Sequence, residues 1–403
     1  MTSIRGIEYI STLIQRGENV LEKIEEMGRS PNKSKELKRR WNLKETAELT
    51  GRSGSSILKC QNALIENGMM DPLDKHESTN RNNGYTLRQI NQLRKHFGTL
   101  PWRDDKSDEC LVLAVQSFKG GVGKSVTSLC LAQYLATQGY RVLFIDMDSQ
   151  ASSTSSFGAI PDKDITPEET LLPYFNGAAN TIDYSIVTTY WEGLDLIPSN
   201  LSLYEFELKV SNDIQNMSKL EKKLMFDDLR RGINGVKKNY DVVIIDSPPA
   251  LGVTSLNILC AADALIVPTP PALYEFSSTV QYFRMIANVL DGICPEKQYK
   301  FIKILATDVY PNQTNHKEFL PLLEDVFGKH MLKSRFFHTS EIGNAAIDFQ
   351  TALEVRRPQK RALDIINRVC DEIEMEIWKT WPSKNKKFQK KGIINLTEET
   401  IYV

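Results

Sequence analysis

The chain has 403 residues, a length typical of two or three domains that each bury their own core. Hydrophobic residues make up 41% and charged residues 25% of the sequence, as in globular proteins, and no apolar run approaches the roughly 20 residues of a membrane span. Because 50 Lys and Arg are matched by 51 Asp and Glu, any binding of nucleic acid must come from local basic patches.

The N-terminus and the cysteines indicate a cytoplasmic protein. Residues 1–13 contain acidic and polar residues where a signal peptide needs an uninterrupted apolar stretch. Six cysteines are scattered without any CxxC pair, which is typical of reduced core thiols rather than of disulfides or zinc ligands: Cys60, Cys110, Cys130, Cys260, Cys294 and Cys370.

Residues 1–40 are predicted to form an N-terminal helix and a basic linker. Over residues 7–27, apolar side chains recur close to helical spacing, interrupted by Gly17. This face could be a dimer seam or could pack on its own domain, and the sequence favours neither. Residues 29–40 contain six basic residues against one acidic residue, which predicts a solvated linker that could contact phosphates.

The pattern of residues 43–63 is typical of a helix-turn-helix. Ala47 would let two helices approach closely, and Gly51 would make the turn between them. Ile57 and Cys60 would hold the second helix in the core. The polar face of that helix would meet base edges or phosphates through Arg52, Ser55, Ser56, Lys59 and Asn62.

We therefore predict a small helix-turn-helix or winged-helix DNA-binding domain over residues 41–98. The Asn-Asn-Gly sequence at residues 82–84 could be the turn of a hairpin wing, and a further helix is expected over residues 87–97. A small helical interaction domain is the alternative, because the helix-turn-helix pattern is only moderately specific.

A second domain is predicted over residues 110–382, after a polar boundary that contains a proline. Continuous apolar runs alternate there with helical stretches, which is typical of a parallel sheet covered by helices on both faces. The fold class is therefore α/β, with a doubly wound, mostly parallel sheet, and a polar basic tail follows at residues 383–403. The apolar runs lie at residues 111–115, 142–145, 242–245, 264–268 and 302–306.

Residues 119–125 predict a nucleotide site. They read Lys-Gly-Gly-Val-Gly-Lys-Ser between an apolar strand and a helix, so that backbone N–H groups and the helix N-terminus can surround phosphates. Lys124 would bridge the β- and γ-phosphates, and the Ser125 hydroxyl would bind Mg²⁺. We expect ATP or ADP with Mg²⁺ as ligands, bound by Gly120, Gly121, Val122, Gly123, Lys124, Ser125 and Val126.

Three aspartates follow two of the apolar runs. Asp246 ends one run, where a carboxylate can hold Mg²⁺ directly or through water. Asp146 ends the neighbouring run in the same way, and Asp148 lies two residues further on. For Asp148, a helix N-cap is the structural alternative.

The loop begins with a lysine and two glycines, and this KGGxGK[ST] pattern resembles the deviant Walker A loop of the ParA/MinD family. Residues 142–154 resemble the family's second strand with its DxDxQ box, and residues 242–252 resemble its Walker B strand and switch loop. The three boxes occur in family order. The resemblance implies that Asp148 positions the attacking water and that Asp146 supports the metal site.

The resemblance also implies a role for Lys119 and a departure at Val126. Lys119 matches the signature lysine, which reaches across a nucleotide sandwich dimer to the partner's phosphates, so that Lys119, Lys124 and Asp148 are the implied catalytic residues. Val126 stands where many relatives carry a second hydroxyl. We expect a lost α-phosphate contact there without loss of activity.

The ends of the chain separate the family's subgroups. Residues 362–381 predict a helix packed on its domain, with mostly acidic charges, which disfavours a membrane helix of the MinD type. Cys260 and Cys294 both follow the Walker B strand, whereas nitrogenase-type iron proteins hold a cluster through cysteines that flank it. The N-terminal extension resembles that of the larger plasmid ParA proteins.

That subgroup implies a partition ATPase found in the cytoplasm and on the nucleoid. The implied partners are a second copy of the chain, a ParB-like centromere-binding protein, operator DNA for autorepression, and nonspecific nucleoid DNA, with no membrane. An ATP-regulated repressor alone and a membrane-cycling positioning ATPase are the alternatives. The candidates for nonspecific DNA contacts are Lys333, Arg335, Arg356, Arg357, Lys360 and Arg361.

Overall fold

The computed structural model describes residues 6–26, 31, 35–75, 81–100, 103–356 and 358–384. The helices before the sheet are α1 (Gly6–Glu26), α2 (Leu43–Thr50), α3 (Gly54–Glu66) and α4 (Leu87–Phe97). The strands are β1 (Leu111–Val115), β2 (Val142–Asp146), β3 (Val187–Thr188), β4 (Leu194–Ile197), β5 (Val242–Asp246), β6 (Ala264–Thr269) and β7 (Phe301–Ala306).

Helices connect and follow the strands, as expected for a doubly wound sheet. They are α5 (Lys124–Gln138), α6 (Ser152–Ser156), α7 (Leu172–Phe175), α8 (Ser202–Asp213), α9 (Lys219–Phe226), α10 (Asp228–Val236), α11 (Val253–Ala261), α12 (Leu273–Ile293), α13 (Thr314–Phe327), α14 (Ser340–Ile347) and α15 (Lys360–Thr380). Within the described residues, no helix is both long and apolar enough to cross a membrane.

The strands form one sheet in the order β3-β4-β2-β5-β1-β6-β7. Every neighbouring pair is parallel except β3 with β4. Apolar clusters cover both faces of the sheet, so the central strands are buried on both sides. The predicted α/β fold is confirmed, and each of the five predicted apolar runs is a strand. The short strands β3 and β4 were not predicted.

The register brings polar side chains to one edge of the sheet. Asp146 of β2 lies opposite Asp246 of β5, and Asp246 lies opposite Val115 at the end of β1. The carboxyl ends of these three strands therefore meet, which is where ligands bind in open α/β sheets.

Capping residues define the helices that precede the sheet. The Asn42 side chain accepts a hydrogen bond from the Glu45 amide at the start of α2, and Gly51, with φ of 63°, ends that helix. Ser53 then caps α3, so that a three-residue turn joins the two helices. Ile57 and Cys60 of α3 are buried in the core.

The expected turn at residues 82–84 is wrong. Lys75 pairs with Asn82 and Trp41 pairs with Tyr85 as isolated antiparallel bridges, so residues 82–84 lie between two paired positions and not at the tip of a hairpin. Gly84 instead lets its own backbone approach the backbone of Trp41, since a Cβ atom at this position would lie only 2.6 Å from the Trp41 carbonyl oxygen.

Arg94 of α4 joins the N-terminal helices to the sheet domain. Its side chain is fully buried, and its Nη2 atom donates to the carbonyl oxygens of Leu49, at 3.1 Å, and Thr137, at 2.8 Å. Leu49 lies in the last turn of α2 and Thr137 in the last turn of α5. One guanidinium thus caps a helix on each side of the interface.

The predicted solvated linker packs against the protein instead. Lys35 donates hydrogen bonds to the carbonyl oxygens of Ser156 and Phe349, and Arg39 is 8% exposed and donates to the Leu353 carbonyl oxygen. Both side chains donate to backbone carbonyl oxygens of residues that are distant in sequence, and the charge pattern of the linker does not predict such contacts.

The two long terminal helices differ in their surroundings. In α1, which continues through Gly17, every described side chain is exposed, including the apolar stripe. In α15, one face is buried against α5, and Trp381 beyond its end is fully buried. The prediction that residues 362–381 pack on their domain is confirmed. Arg357 and residues 385–403 lie outside the described residues.

Candidate active site

The loop between β1 and α5 is shaped by two glycines. Gly121 and Gly123 have φ of 73° and 85°, backbone conformations that favour glycine. The hydroxyl of Thr307, the residue after β7, donates to the Val122 carbonyl oxygen at 2.8 Å and fixes the loop to the sheet. Because α5 begins at Lys124, the loop and the helix N-terminus together make a site for an anion such as phosphate.

Lys124 lies inside this loop. Its side chain is buried, and Nζ donates to the Lys119 carbonyl oxygen at 2.8 Å. Burial lowers the pKa of Lys124, while the carboxylates of Asp246 and Asp148 oppose that shift. A cation held between the loop and two carboxylates is placed to neutralise phosphate charge.

Short helix α6 holds the two aspartates at the strand ends. The Ser153 hydroxyl donates to Asp246 Oδ2 at 2.7 Å, and the Thr154 amide and hydroxyl donate to Asp146 Oδ2 at 2.8 and 2.7 Å. Burial raises the pKa of both carboxyls, since two carboxylates side by side in the interior are costly without a cation.

The residues present fit a Mg²⁺ ion. Asp246 Oδ1 is buried and makes no hydrogen bond, and the neighbouring hydroxyls of Ser153 and Ser125 partly oppose the rise that burial causes in the pKa of this carboxyl. Among the described residues, no group of three His, Cys, Asp or Glu side chains forms a metal cage. Such a cage is unnecessary here, because Mg²⁺ at a P-loop takes most of its ligands from phosphate, water and one hydroxyl.

Asp148 lies beside this pair and is 9% exposed. Its Oδ1 atom accepts a hydrogen bond from the Gln150 amide at 3.0 Å, and burial raises the pKa of its carboxyl. The N-cap of α6 is Ala151, so the helix-cap alternative for Asp148 is wrong.

The Lys119 side chain contacts helix α12. Its Nζ atom lies 2.5 Å from Oε1 of Glu275 in the first turn of α12, and the two side chains are 37% and 22% exposed. Lys119 is therefore accessible from outside the loop, whereas Lys124 is not.

Known proteins resemble this chain in sequence, one of them along most of its length. Protein SopA of Escherichia coli strain K12 is 35% identical over 358 residues, which span 84% of this chain and 89% of SopA. The chromosome partitioning protein ParA of Caulobacter vibrioides is 31% identical over 199 residues, or 49% of this chain and 70% of that protein. This chain belongs to the ParA family of partition ATPases.

The shared ParA fold extends beyond the sheet domain. A family model for an AAA domain matches residues 110–297. A solved structure of a partition protein has a TM-score of 0.64 and 21% identity, and the match covers 92% of this chain and 99% of that one. At 21% identity this similarity shows only that the fold is shared. Because the match covers 92% of this chain, it includes helices that precede the sheet.

The structure brings together the sequence-predicted ParA nucleotide residues. Asp148 and Asp246 lie beside Lys124, and Asp146 and Ser125 lie beside Asp246. Val126 packs against the core and lines, with Ser125, a cavity of about 260 Å³.

Sequence reasoning missed four residues of this ParA site. Ser153 and Thr154 lie three and four residues after the last residue of the DxDxQ box, so their closeness in sequence could have identified them. Glu275 and Thr307 reach the loop only through tertiary contacts.

The predicted DNA contacts fall in separate places. Arg52, Ser55, Ser56 and Lys59 are all exposed on or just before α3, and the Arg52 guanidinium lies 5.4 Å from the centre of the Phe97 ring. Arg356, Lys360 and Arg361 are exposed near the start of α15.

A cleft of about 970 Å³ contains two more of the predicted contacts, Lys333 and Arg335, together with Arg368. Glu324 pairs with Arg335, and Glu372 accepts a hydrogen bond from the Lys333 amide. Lys360 lines a different cleft of about 600 Å³, which faces the N-terminal helices. The candidates therefore do not form one continuous basic surface within the described residues.

Proposed function

We propose that this chain is a DNA-partition ATPase that hydrolyses ATP with Mg²⁺, forms an ATP-dependent homodimer and binds DNA of any sequence as that dimer. The proposal rests mainly on one observation. Lys124, Ser125 and the three aspartates described above lie together at one sheet edge, and the second lysine of the loop, Lys119, is partly exposed beside them. Lys124 suffices for phosphates bound by its own loop. An accessible Lys119 suits phosphates presented by a second subunit.

Each residue at the proposed site has a distinct task. Bound ATP and Mg²⁺ supply the phosphoryl group and the charge that stabilises its transfer. Lys124 and the loop amides bind the phosphates, and Ser125 and Asp246 hold the metal. Asp146 supports the site through its hydrogen bond from the Asp148 amide at 3.1 Å, and Asp148 orients water for attack.

Two features support a homodimer. Two ATP molecules facing each other bring several negative charges together, and Lys119 of each subunit would offset them across the interface. The α1 helix also exposes a stripe of apolar side chains, so its own domain leaves that face available to a second copy: Ile7, Ile10, Leu13, Ile14, Val20 and Leu21.

The N-terminal helices support a second, sequence-specific DNA contact. We assign residues 1–40 to dimerisation and linkage, 41–98 to operator recognition, 110–382 to the ATPase, and 383–403 to a basic tail. The exposed polar face of α3 fits a major groove, where Arg and Lys read bases or phosphates. Operator binding would repress the chain's own operon, and a ParB-like partner would stimulate hydrolysis on nucleoid DNA in the cytoplasm.

The deciding experiment measures binding to random DNA and to DNA from upstream of the gene, with ATP, with ADP and without nucleotide. We expect random DNA to bind only with ATP and with an affinity that falls steeply as salt rises. Upstream DNA bound without any ATP-dependent binding to random DNA would identify a repressor alone. ATP-dependent binding to anionic vesicles but not to DNA would identify a membrane-cycling ATPase.

A further inference from the structure

Lys35 lies in the linker before α2, outside the ATPase domain, yet its ammonium group has three oxygen acceptors within that domain. Nζ donates to the carbonyl oxygens of Ser156 and Phe349, both at 2.7 Å, and lies 2.8 Å from Oε2 of Glu354. The side chains of Lys35 and Glu354 are only 14% and 4% exposed. These three partners use the full donor capacity of a lysine.

One of those acceptors belongs to the active site. Ser156 is the last residue of α6, whose residues Ser153 and Thr154 donate hydrogen bonds to Asp246 and Asp146. A helix of five residues has little stability of its own, so its position depends on what holds its ends. The carboxylates hold the middle of α6, whereas its last residue, Ser156, is held by Lys35 at 2.7 Å and by the more distant Tyr190 hydroxyl at 3.5 Å.

Glu354 connects the same lysine to the helix that follows the phosphate loop. Its Oε1 atom accepts a hydrogen bond from Nε2 of Gln133 on α5 at 2.8 Å, and its Oε2 atom accepts one from the Tyr190 hydroxyl at 2.8 Å. The Lys35 ammonium also lies 4.9 Å from the centre of the Tyr190 ring. The linker, α5 and α6 therefore share one buried, charge-assisted network.

We propose that Lys35 is a positioning residue of the ATPase site, which fixes α6 and through it the paired carboxylates of Asp146 and Asp246. The inference rests on the proposed ATPase function and extends the active site into the N-terminal linker. Because coupling between sites is reciprocal, a change at the carboxylates also changes how firmly the linker is bound. The linker leads directly into α2, so this contact ties the nucleotide site to the operator-recognition helices.

The test compares Lys35→Met with Lys38→Met, an exposed lysine of the same linker. Amide hydrogen exchange of the full-length protein without nucleotide reports on α6 directly. We expect exchange in residues 151–157 to be about tenfold faster in Lys35→Met than in wild type, with β1 unchanged, because only the end of α6 is released. Lys38→Met should exchange as wild type does.

Steady-state kinetics give the second measurement. Lys35→Met should lower kcat for ATP about tenfold while KM changes less than about threefold, since α6 holds carboxylates and not the phosphate loop. Lys35→Arg, which keeps a cation, should recover part of the loss. Unchanged exchange in α6 of a folded Lys35→Met protein, or equally fast exchange in Lys38→Met, would overturn the proposal.

Removal of Lys35 leaves Glu354 as an unpaired buried charge, so the single variant could unfold. The double variant Lys35→Met/Glu354→Gln removes both charges and keeps the test decisive, because α6 is released in it as well. If the folded double variant exchanged like wild type in α6, the positioning role would be wrong. If wild-type protein hydrolysed no ATP, the proposed function would fail, and the exchange data would still decide whether Lys35 fixes α6.

Discussion

The ammonium group of Lys119 and the carboxylate of Glu275 lie 2.5 Å apart, and this pair joins the phosphate loop to the first turn of α12. If Lys119 contacts nucleotide in a partner subunit, it must first leave Glu275. Both side chains are partly exposed, so solvent weakens their ion pair, and the transfer of Lys119 from Glu275 to the partner's nucleotide needs little free energy. Glu275 would thus hold the lysine in the monomer without preventing dimer formation.

Lys119→Ala should bind ATP with nearly wild-type affinity yet fail to form the ATP dimer. The loop backbone and Lys124 bind the phosphates within one subunit, whereas repulsion between two facing ATP molecules lacks its offsetting cation in the variant. Sedimentation with ATP and Mg²⁺ measures the dimer. In the same assay, Glu275→Gln should favour the dimer by roughly two- to fivefold, since it frees the lysine. A stable ATP dimer of Lys119→Ala with normal hydrolysis would show that Lys119 is only a loop residue.

Lys124→Ala should weaken ATP binding at least about a hundredfold. The phosphates lose their central charge-assisted contact in a buried site, where such a contact is strongest. Calorimetric titration with ATP checks this, with Lys106→Ala as an exposed control. Equal affinities for the two variants would contradict the assignment of the phosphate loop.

Asp148→Asn should slow hydrolysis about a hundredfold or more while ATP affinity changes less than about threefold. The amide can still accept the Gln150 hydrogen bond, so the local fold survives, but it orients water less well than a carboxylate does. Single-turnover hydrolysis and ATP titration separate the two effects, with Asp325→Asn on the exposed face of α13 as the control. Wild-type turnover in Asp148→Asn would remove this residue from the mechanism.

Lys59→Ala should weaken binding to upstream DNA about tenfold and leave ATP hydrolysis unchanged, because the side chain is exposed on α3, away from the nucleotide site. Lys95→Ala, on α4, is the matched control. Arg52→Ala should have a similar effect, although it also removes the contact with Phe97. Competition between upstream and random DNA shows whether the residues read sequence, since an equal loss for both would mean that they contact only phosphates.

Glu374 should make stability depend on pH. Burial raises the pKa of its carboxyl to about 7, although the hydroxyls of Tyr140 and Tyr134 donate to it. Folding therefore favours the protonated acid, whose stabilising contribution is complete below about pH 4.5 and is lost as pH rises through about 7. The loss amounts to as much as about 3 kcal/mol.

Glu374→Gln stays neutral at every pH, so its unfolding free energy relative to wild type should rise between pH 5 and pH 8. Urea denaturation of both proteins at the two pH values gives this difference directly, and Glu318→Gln on an exposed face of α13 is the control. A difference that did not change with pH would mean that the Glu374 carboxyl does not titrate in this range.

The sequence predicted the central strands because each is a continuous apolar run, the pattern of a strand buried on both faces. It did not predict β4, whose apolar run is broken by Asp195, or β3, which has only two residues. The phosphate loop and the aspartates at the strand ends were also predictable, since short local patterns specify them.

The rest of the site depends on contacts between distant segments. Glu275 lies 156 residues from Lys119, and no local pattern marks it as a partner. Lys35 belongs to a run of charges that is usually solvated, and only the folded chain shows that it reaches Phe349, 314 residues away. In both cases tertiary structure, rather than local propensity, decides where the side chain lies.

Arg94 affects how the protein unfolds. Because its guanidinium caps both α2 and α5, fraying of either helix exposes to water a charge that is otherwise buried. The apolar core also runs without a break from Trp41 and Ile90 to Leu135 and Trp381. We therefore expect the N-terminal helices and the sheet domain to unfold together in one cooperative transition.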